Sequence, residues 1–175
     1  QGYAPGRGGF EFNPVPGMPV KEMSSLKTSP KFNSSAISHQ DFIANFSDST
    51  LLVPGTSIPI NNHINPMDIV AELRLLNWNY SFSDFMAMCS LTIYNRGDQT
   101  FDDLYIGLWN NTVVRNINIT PAGAGGATFY TQGGNGFVDS LNLAYCYDAT
   151  GDEGFTDSYV GQVFLGGEDK QGFRH

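Results

Sequence analysis

Residues 141–166 read LNLAYCYDATGDEGFTDSYVGQVFLG, two alternating runs on either side of an acidic, glycine-rich turn. Leu141, Leu143, Tyr145 and Tyr147 alternate with Asn142, Ala144 and Cys146. Tyr159, Gly161 and Val163 alternate with Val160, Gln162 and Phe164. A period of two places every second side chain on one face of a strand. Between the runs, Asp148, Gly151, Asp152, Glu153, Gly154 and Asp157 form a turn dominated by glycine and aspartate, both poor helix formers. A hairpin of two strands is therefore the unit from which the rest of the chain is read.

Working outward, the same signature recurs. In Phe85–Tyr94 the residues Phe85, Ala87, Cys89, Leu91 and Ile93 share one face. The run before it, Ile69–Tyr80, fits a helical face at Ile69, Leu73 and Leu76, and fits alternation as well. Trp78, Tyr80 and Phe82 continue the alternation, so two strands joined near Ser83-Asp84 are expected. Phe42 and Phe46 lie in a further extended run, because Ser47, Asp48, Ser49 and Thr50 compete with helical backbone bonds. Additional strands are predicted at 57–60, 104–109 and 113–120, with a long flexible loop over most of 121–136. Repeated short strands with almost no helical pattern predict an all-β chain, an antiparallel β-sandwich of the Ig-like or jelly-roll-like kind.

The first 35 residues differ. Prolines at 5, 14, 16, 19 and 30 interrupt any periodicity, and too little apolar surface is present to offset the entropy of ordering. Residues 1–35 thus read as an extended N-terminal arm or linker, 36–167 as the sandwich domain and 168–175 as a polar tail. Such an arm orders by lying along something else. Self-association, or docking on neighbouring domains of the same protein, is the expected use.

The chain has 175 residues, nine Lys and Arg against seventeen Asp and Glu, and a net charge of -8. Nucleic acid and anionic membrane surfaces require clustered cations, which are lacking. No run reaches the length of a membrane-spanning helix. A surface carried by Asn, Ser, Thr, Gly and Gln points to an extracellular or cell-surface location, with Gln1 as a processed terminus or an arbitrary cut. Cys89 and Cys146 fall on different strands; an exported protein would permit a disulfide between them, and a buried free thiol fits equally.

Asp148, Asp152, Glu153 and Asp157 bracket two glycines, so hard oxygen ligands could converge on a calcium ion, although the spacing differs from an EF-hand loop. The same residues describe a solvated hairpin tip. Trp78 and Trp109, with Tyr80, Tyr105, Tyr130, Tyr145, Tyr147 and Tyr159, could stack on a glycan or could pack a core. His39, His63 and His175 stand far apart, and Asp102 and Asp103, adjacent on a strand, would point to opposite faces. A non-catalytic chain is expected. Sequons at Asn33, Asn45, Asn79, Asn110 and Asn118 are frequent by composition alone. Asp48-Ser49-Thr50 and Asp139-Ser140-Leu141 resemble a short bacterial O-glycosylation motif.

Taken together, HQDFIANFSD, the Trp78-Asn79-Tyr80 strand, DFMAMCSLTIYNRGDQTFDDLYIGLW and NLAYCYDATGDEGFTDSYVGQVFLG resemble a β-sandwich module of large exported surface proteins of Bacteroidetes-like and Ignavibacteria-like bacteria. That module often precedes a type IX secretion-sorting domain. The resemblance spans roughly residues 39–166 and implies a surface location with a non-catalytic structural role. It departs from the pattern after YIGLW, where Asn110-Asn111-Thr112 stands in place of an acidic loop. The expectation is a structural or assembly module of a cell-surface protein or filament. A carbohydrate-binding or accessory domain of a larger secreted protein, such as a hydrolase, is the alternative.

Overall fold

The longest strands fall on runs of alternating side chains and stop at residues whose side chains compete for backbone hydrogen bonds, Ser47, Asn77 and Asn95. In the computed structural model, which describes residues 9–102, 104–108, 110, 112, 114, 133–149 and 155–167, nearly all regular structure is strand. The chain divides into two units, residues 1–104 and 105–175. Each unit contains one antiparallel sheet.

In the first unit, β3 (Gln40–Ser47) pairs with β4 (Ile69–Asn77) along its full length, from Gln40 opposite Asn77 to Ser47 opposite Val70. β4 then pairs with β5 (Met88–Asn95), from Ile69 opposite Asn95 to Leu76 opposite Met88. The connection between them is the expected turn around Ser83. The buried Ser83 hydroxyl donates to the Trp78 carbonyl at 2.7 Å, and its N–H donates to the Tyr80 carbonyl at 2.8 Å. Directly opposed residues share a face, so Phe42, Phe46, Leu73, Leu75, Leu91 and Ile93 form one apolar surface. Asp41, Asn45, Glu72, Arg74, Ser90 and Thr92 lie on the other.

The arm is not simply extended into solvent. β1 (Asn13–Pro14) and β2 (Lys21–Met23) lie end to end along the outer edge of β3. Asn13 and Pro14 oppose Ser47 and Phe46, while Lys21, Glu22 and Met23 oppose Ile43, Phe42 and Asp41. Val15 still donates its N–H to the Asn45 carbonyl of β3 at 2.9 Å; residues 16–20 then leave the edge in a turn, closed by the Met18 N–H on the Val15 carbonyl at 3.1 Å, with Gly17 at φ 78°. Glycine takes that left-handed conformation without the strain a Cβ would add. Pro14 has no N–H to give a ladder, so an edge is where a strand proline belongs. Residues 24–38 then fold back as a hydrogen-bonded loop, with Ser24 N–H on the Lys31 carbonyl, Asn33 N–H on the Ser24 carbonyl and Ser25 N–H on the Ser38 carbonyl.

The second sheet has the order β6 (Gly133–Val138), β7 (Leu143–Asp148), β8 (Tyr159–Val163). β7 and β8 form the hairpin read from the sequence. β6 lies where the long loop was expected; Gly133–Gly136 is strand because facing tyrosine rings occupy the space its missing side chains leave. A Cβ on Gly134 would stand 2.3 Å from Tyr147 Cζ, and one on Gly136 would stand 2.2 Å from Tyr145 Cζ. A short 3-10 turn, Asp139–Leu141, with Asn142 in the left-handed region, joins β6 to β7.

Two other expectations need correction. The strand foreseen at 57–60 is a single bridge, Leu52 to Pro59, because the Pro54-Gly55 turn folds the segment back on itself at once. Residues 104–108 alternate in sequence yet form no strand, and Tyr105 and Leu108 are among the most exposed side chains. Alternation alone does not supply the paired edge a strand needs. The predicted strand at 113–120 lies outside the described residues except for Val114.

Candidate functional site

The best-defined polar arrangement fastens the loop 24–38 to the first sheet. Asp41 is fully buried on β3, opposite the buried Met23 of β2. Its carboxylate accepts the N–H groups of Ile37 at 2.9 Å and Ser38 at 2.8 Å, the Ser38 hydroxyl, and Arg74 Nε at 3.1 Å; Arg74 Nη2 completes a two-pronged ion pair. Arg74 Nη2 also donates to the Ser35 carbonyl at 2.8 Å. Burial by itself would push the Asp41 carboxyl up. The Ser38 hydroxyl, the Ile37 N–H, Arg74 and the Ser38 N–H outweigh it and hold the group at about 2.

A second buried aspartate closes the other end of β3. Asp48 accepts the Met67 N–H at 2.7 Å and the Ile69 N–H at 2.9 Å, fixing the entry into β4. Its carbonyl lies 2.5 Å from Nε2 of the buried His63. A carbonyl can only accept, so that nitrogen carries the proton. His39 Nδ1 accepts the Asn79 N–H at 3.0 Å. Both histidines are thus committed to backbone groups, which is a loop-fastening role.

Of the calcium candidates, Asp148 and Asp157 are described; Asp152 and Glu153 lie outside the described residues. Asp148 is buried at the end of β7, and its carboxylate reaches across the turn to accept the Thr156 N–H at 3.1 Å. Asp157 is exposed one residue further on. Among the described residues no group of three or more His, Cys, Asp or Glu side chains converges as a metal site would require.

Trp78 is half-buried in the β4–β5 connection, and Trp109 lies outside the described residues. Near Trp78 the aromatic pair is Tyr80 and Phe82, stacked at 5.3 Å with Phe82 68% exposed, and His39 lies 4.8 Å from Tyr80. The second sheet holds a larger cluster, with Tyr145, Tyr147 and Tyr159 having ring centroids 5.7 to 6.1 Å apart. These three share the face on which β6 offers only Gly134 and Gly136 opposite them. The signal for this cluster was the i, i+2 spacing of Tyr145 and Tyr147 matched by the i, i+2 spacing of two glycines.

Cys89 is exposed on β5 and Cys146 is buried on β7, each a free thiol. The Cys146 S–H faces the Val160 carbonyl at 3.7 Å. A shallow cleft of about 300 Å³ lies where β1 meets the end of β3, walled by Asn13, Pro14, Ser47, Ser49, Asp68 and Arg96. It stands at the lower bound of ligand-sized pockets. No helix among the described residues is long and apolar enough to cross a membrane. Comparison of the chain with protein-family models, with curated proteins and with solved structures finds no match to any of them.

Proposed function

We propose that this chain is a non-catalytic extracellular structural module, used in assembly of a bacterial cell-surface protein or filament. The observation that supports it is the strand addition made by the arm: Asn13–Pro14 and Lys21–Met23 take up the edge of β3 through two short ladders separated by a turn. Main-chain pairing of this kind is how an extended segment recognises a sheet edge. The same edge on a neighbouring copy or domain offers the same register, so exchange of the arm between copies requires no new contact. Gln40 Nε2 on Glu22 at 2.9 Å is one of the few side-chain bonds holding β2 from outside.

Deletion of residues 1–20 tests this reading, because it removes β1 and the turn and keeps the buried Met23. The expected result is a loss of native mass by light scattering, with the strand signal in circular dichroism retained. An unchanged mass counts against the arm as the assembly element. In this reading calcium, bound at the turn spanning Asp148 to Asp157, would add order to the β7–β8 connection.

A second reading, a carbohydrate-binding or accessory domain of a larger secreted protein, draws on the tyrosine cluster. Tyr159 is 66% exposed beside Tyr145 and Tyr147, and tyrosine faces are suited to stacking on sugar rings. Retardation of the protein in polysaccharide-containing gels, lost in Tyr159→Ala, would favour it.

A further inference from the structure

The arm is fastened unequally along its length. Its second part is held from inside. Met23 of β2 and the next residue, Ser24, are both buried, and the Ser24 hydroxyl donates to the His39 carbonyl at 2.6 Å. Ser38 at the far end of the loop is buried too; its hydroxyl donates to the Gln40 carbonyl at 2.8 Å and accepts the Asn77 N–H at 3.0 Å. β2 and the loop 24–38 therefore share buried polar groups with β3 and β4. They could not leave the sheet without stranding those groups.

Residues 9–20 are held far less. None of them is a buried residue. Their ladder on β3 is Asn13 and Pro14, followed by the single bond from the Val15 N–H to the Asn45 carbonyl at 2.9 Å. Pro14, Pro16 and Pro19 have no N–H to offer an edge. The Asn13 side chain donates to the Phe10 carbonyl, inside the same segment, and would travel with it. One atom works against docking. Oε2 of Glu11 is buried with no hydrogen-bond partner among the described residues. A carboxylate oxygen taken from water without a donor costs free energy, which lifting the segment would return. Between the two parts lie Pro16, the left-handed Gly17 and Pro19, in a turn outside both ladders.

From this contrast we infer that residues 9–20 are a strap that lifts from the Asn45–Ser47 end of the β3 edge as one piece while β2 and the loop 24–38 stay in place, the buried carboxylate of Glu11 keeping it close to release. The seat survives the opening. β3 remains paired with β4 from Gln40 to Ser47, and the Asp48 carboxylate still holds the Met67 and Ile69 N–H groups. What changes is the cleft of about 300 Å³. Asn13, Pro14 and Pro16 of the strap line it together with Ser47, Asp68 and Arg96 of the sheet and its turns. Lifting the strap takes the first three away, so the cleft exists only while the strap is seated. Occupancy of the cleft and seating of the strap are thereby linked.

The inference concerns contacts within one chain and holds with or without exchange of arms, so native mass reports on assembly and the following measurements report on the strap. In the full chain, amide exchange followed by NMR is expected to be at least about tenfold faster at Val15 than at Ser24 and Ser25, after correction for intrinsic rates. Within residues 9–40, chymotrypsin is expected to cut first after Phe10 or Phe12, both half-buried, ahead of Leu26 and Phe32, which are 42% and 46% exposed. That order would report lifting of the strap, because static exposure favours the opposite one. Glu11→Gln removes the buried charge and is expected to slow both the Val15 exchange and the cut at least about threefold. Equal exchange at Val15, Ser24 and Ser25, or a first cut after Leu26 or Phe32, overturns the strap. Unchanged rates in Glu11→Gln overturn the role given to Glu11.

Discussion

Arg74 of β4 reaches diagonally across the sheet to Asp41 of β3, two residues along from its own register partner, Ile43. The pair therefore ties together three things at once: two strands and, through Ile37, Ser38 and Ser35, the loop 24–38 that follows β2. A buried charge is tolerated because every donor near it points inward.

The pH dependence of stability follows from this. The Asp41 carboxyl is held at about 2 against an ordinary 3.8, so its folded value is depressed. The stabilisation is complete above pH 3.8 and is lost as pH falls toward 2, on the order of 2 kcal/mol in all. Urea melts at stepped pH are expected to show that decline. Asp41→Asn should start lower by a similar amount at neutral pH and decline less below pH 4.

The glycine strand gives a second test. Gly136→Val would drive the Tyr145 ring off its seat, at a cost of roughly 1–3 kcal/mol. Adding Tyr145→Ala frees the space, so the double variant should lose less than the sum of the singles. Denaturant midpoints of the four proteins measure the coupling, and strict additivity would mean that ring and strand do not touch.

Calcium provides a third. If the acidic turn holds the ion, the melting temperature rises with millimolar calcium and returns on chelation. Asp157→Ala is the informative variant, because Asp157 is exposed and its loss leaves the Asp148 bond to Thr156 in place. A melting temperature indifferent to calcium in the native protein would assign the turn to solvent.

The two thiols should separate by rate. A maleimide is expected to label Cys89 within minutes in the folded protein, while Cys146, buried on β7, reacts only on unfolding. Mass spectrometry of native and denatured samples counts the adducts. Two fast adducts in the folded state would contradict the burial of Cys146.

Much of the fold was legible because its strands carry side chains that alternate in character. Phe42 and Phe46, Leu73 and Leu75, Leu91 and Ile93, and Tyr145 and Tyr147 each announce a face. β6 was hidden because glycine has no character to alternate, and its pattern becomes readable only beside the tyrosines that cover it. β1 and β2 are two and three residues long, too short for any period, and only the edge of β3 makes them strands. Asp41 and Asp48 were unreadable as interior residues, since a lone carboxylate is ordinarily found outside. The clue was their setting in Ser-rich segments, where backbone N–H groups left free by a loop need an acceptor. Tyr105 to Leu108 misled in the opposite sense, with a strand's pattern and no strand.

The covering of β6 by Tyr145 and Tyr147 bears on the order in which the second sheet forms. Glycine loses more backbone freedom than any other residue when it is fixed, and β6 brings Gly133, Gly134 and Gly136 to its ladder. The β7–β8 hairpin, with three tyrosines of its own, is the part able to persist first, and β6 is the late arrival that lies down under rings already in place. Its amide protons would accordingly be the earliest in that sheet to exchange with solvent, marking the seam along which the sheet begins to come apart.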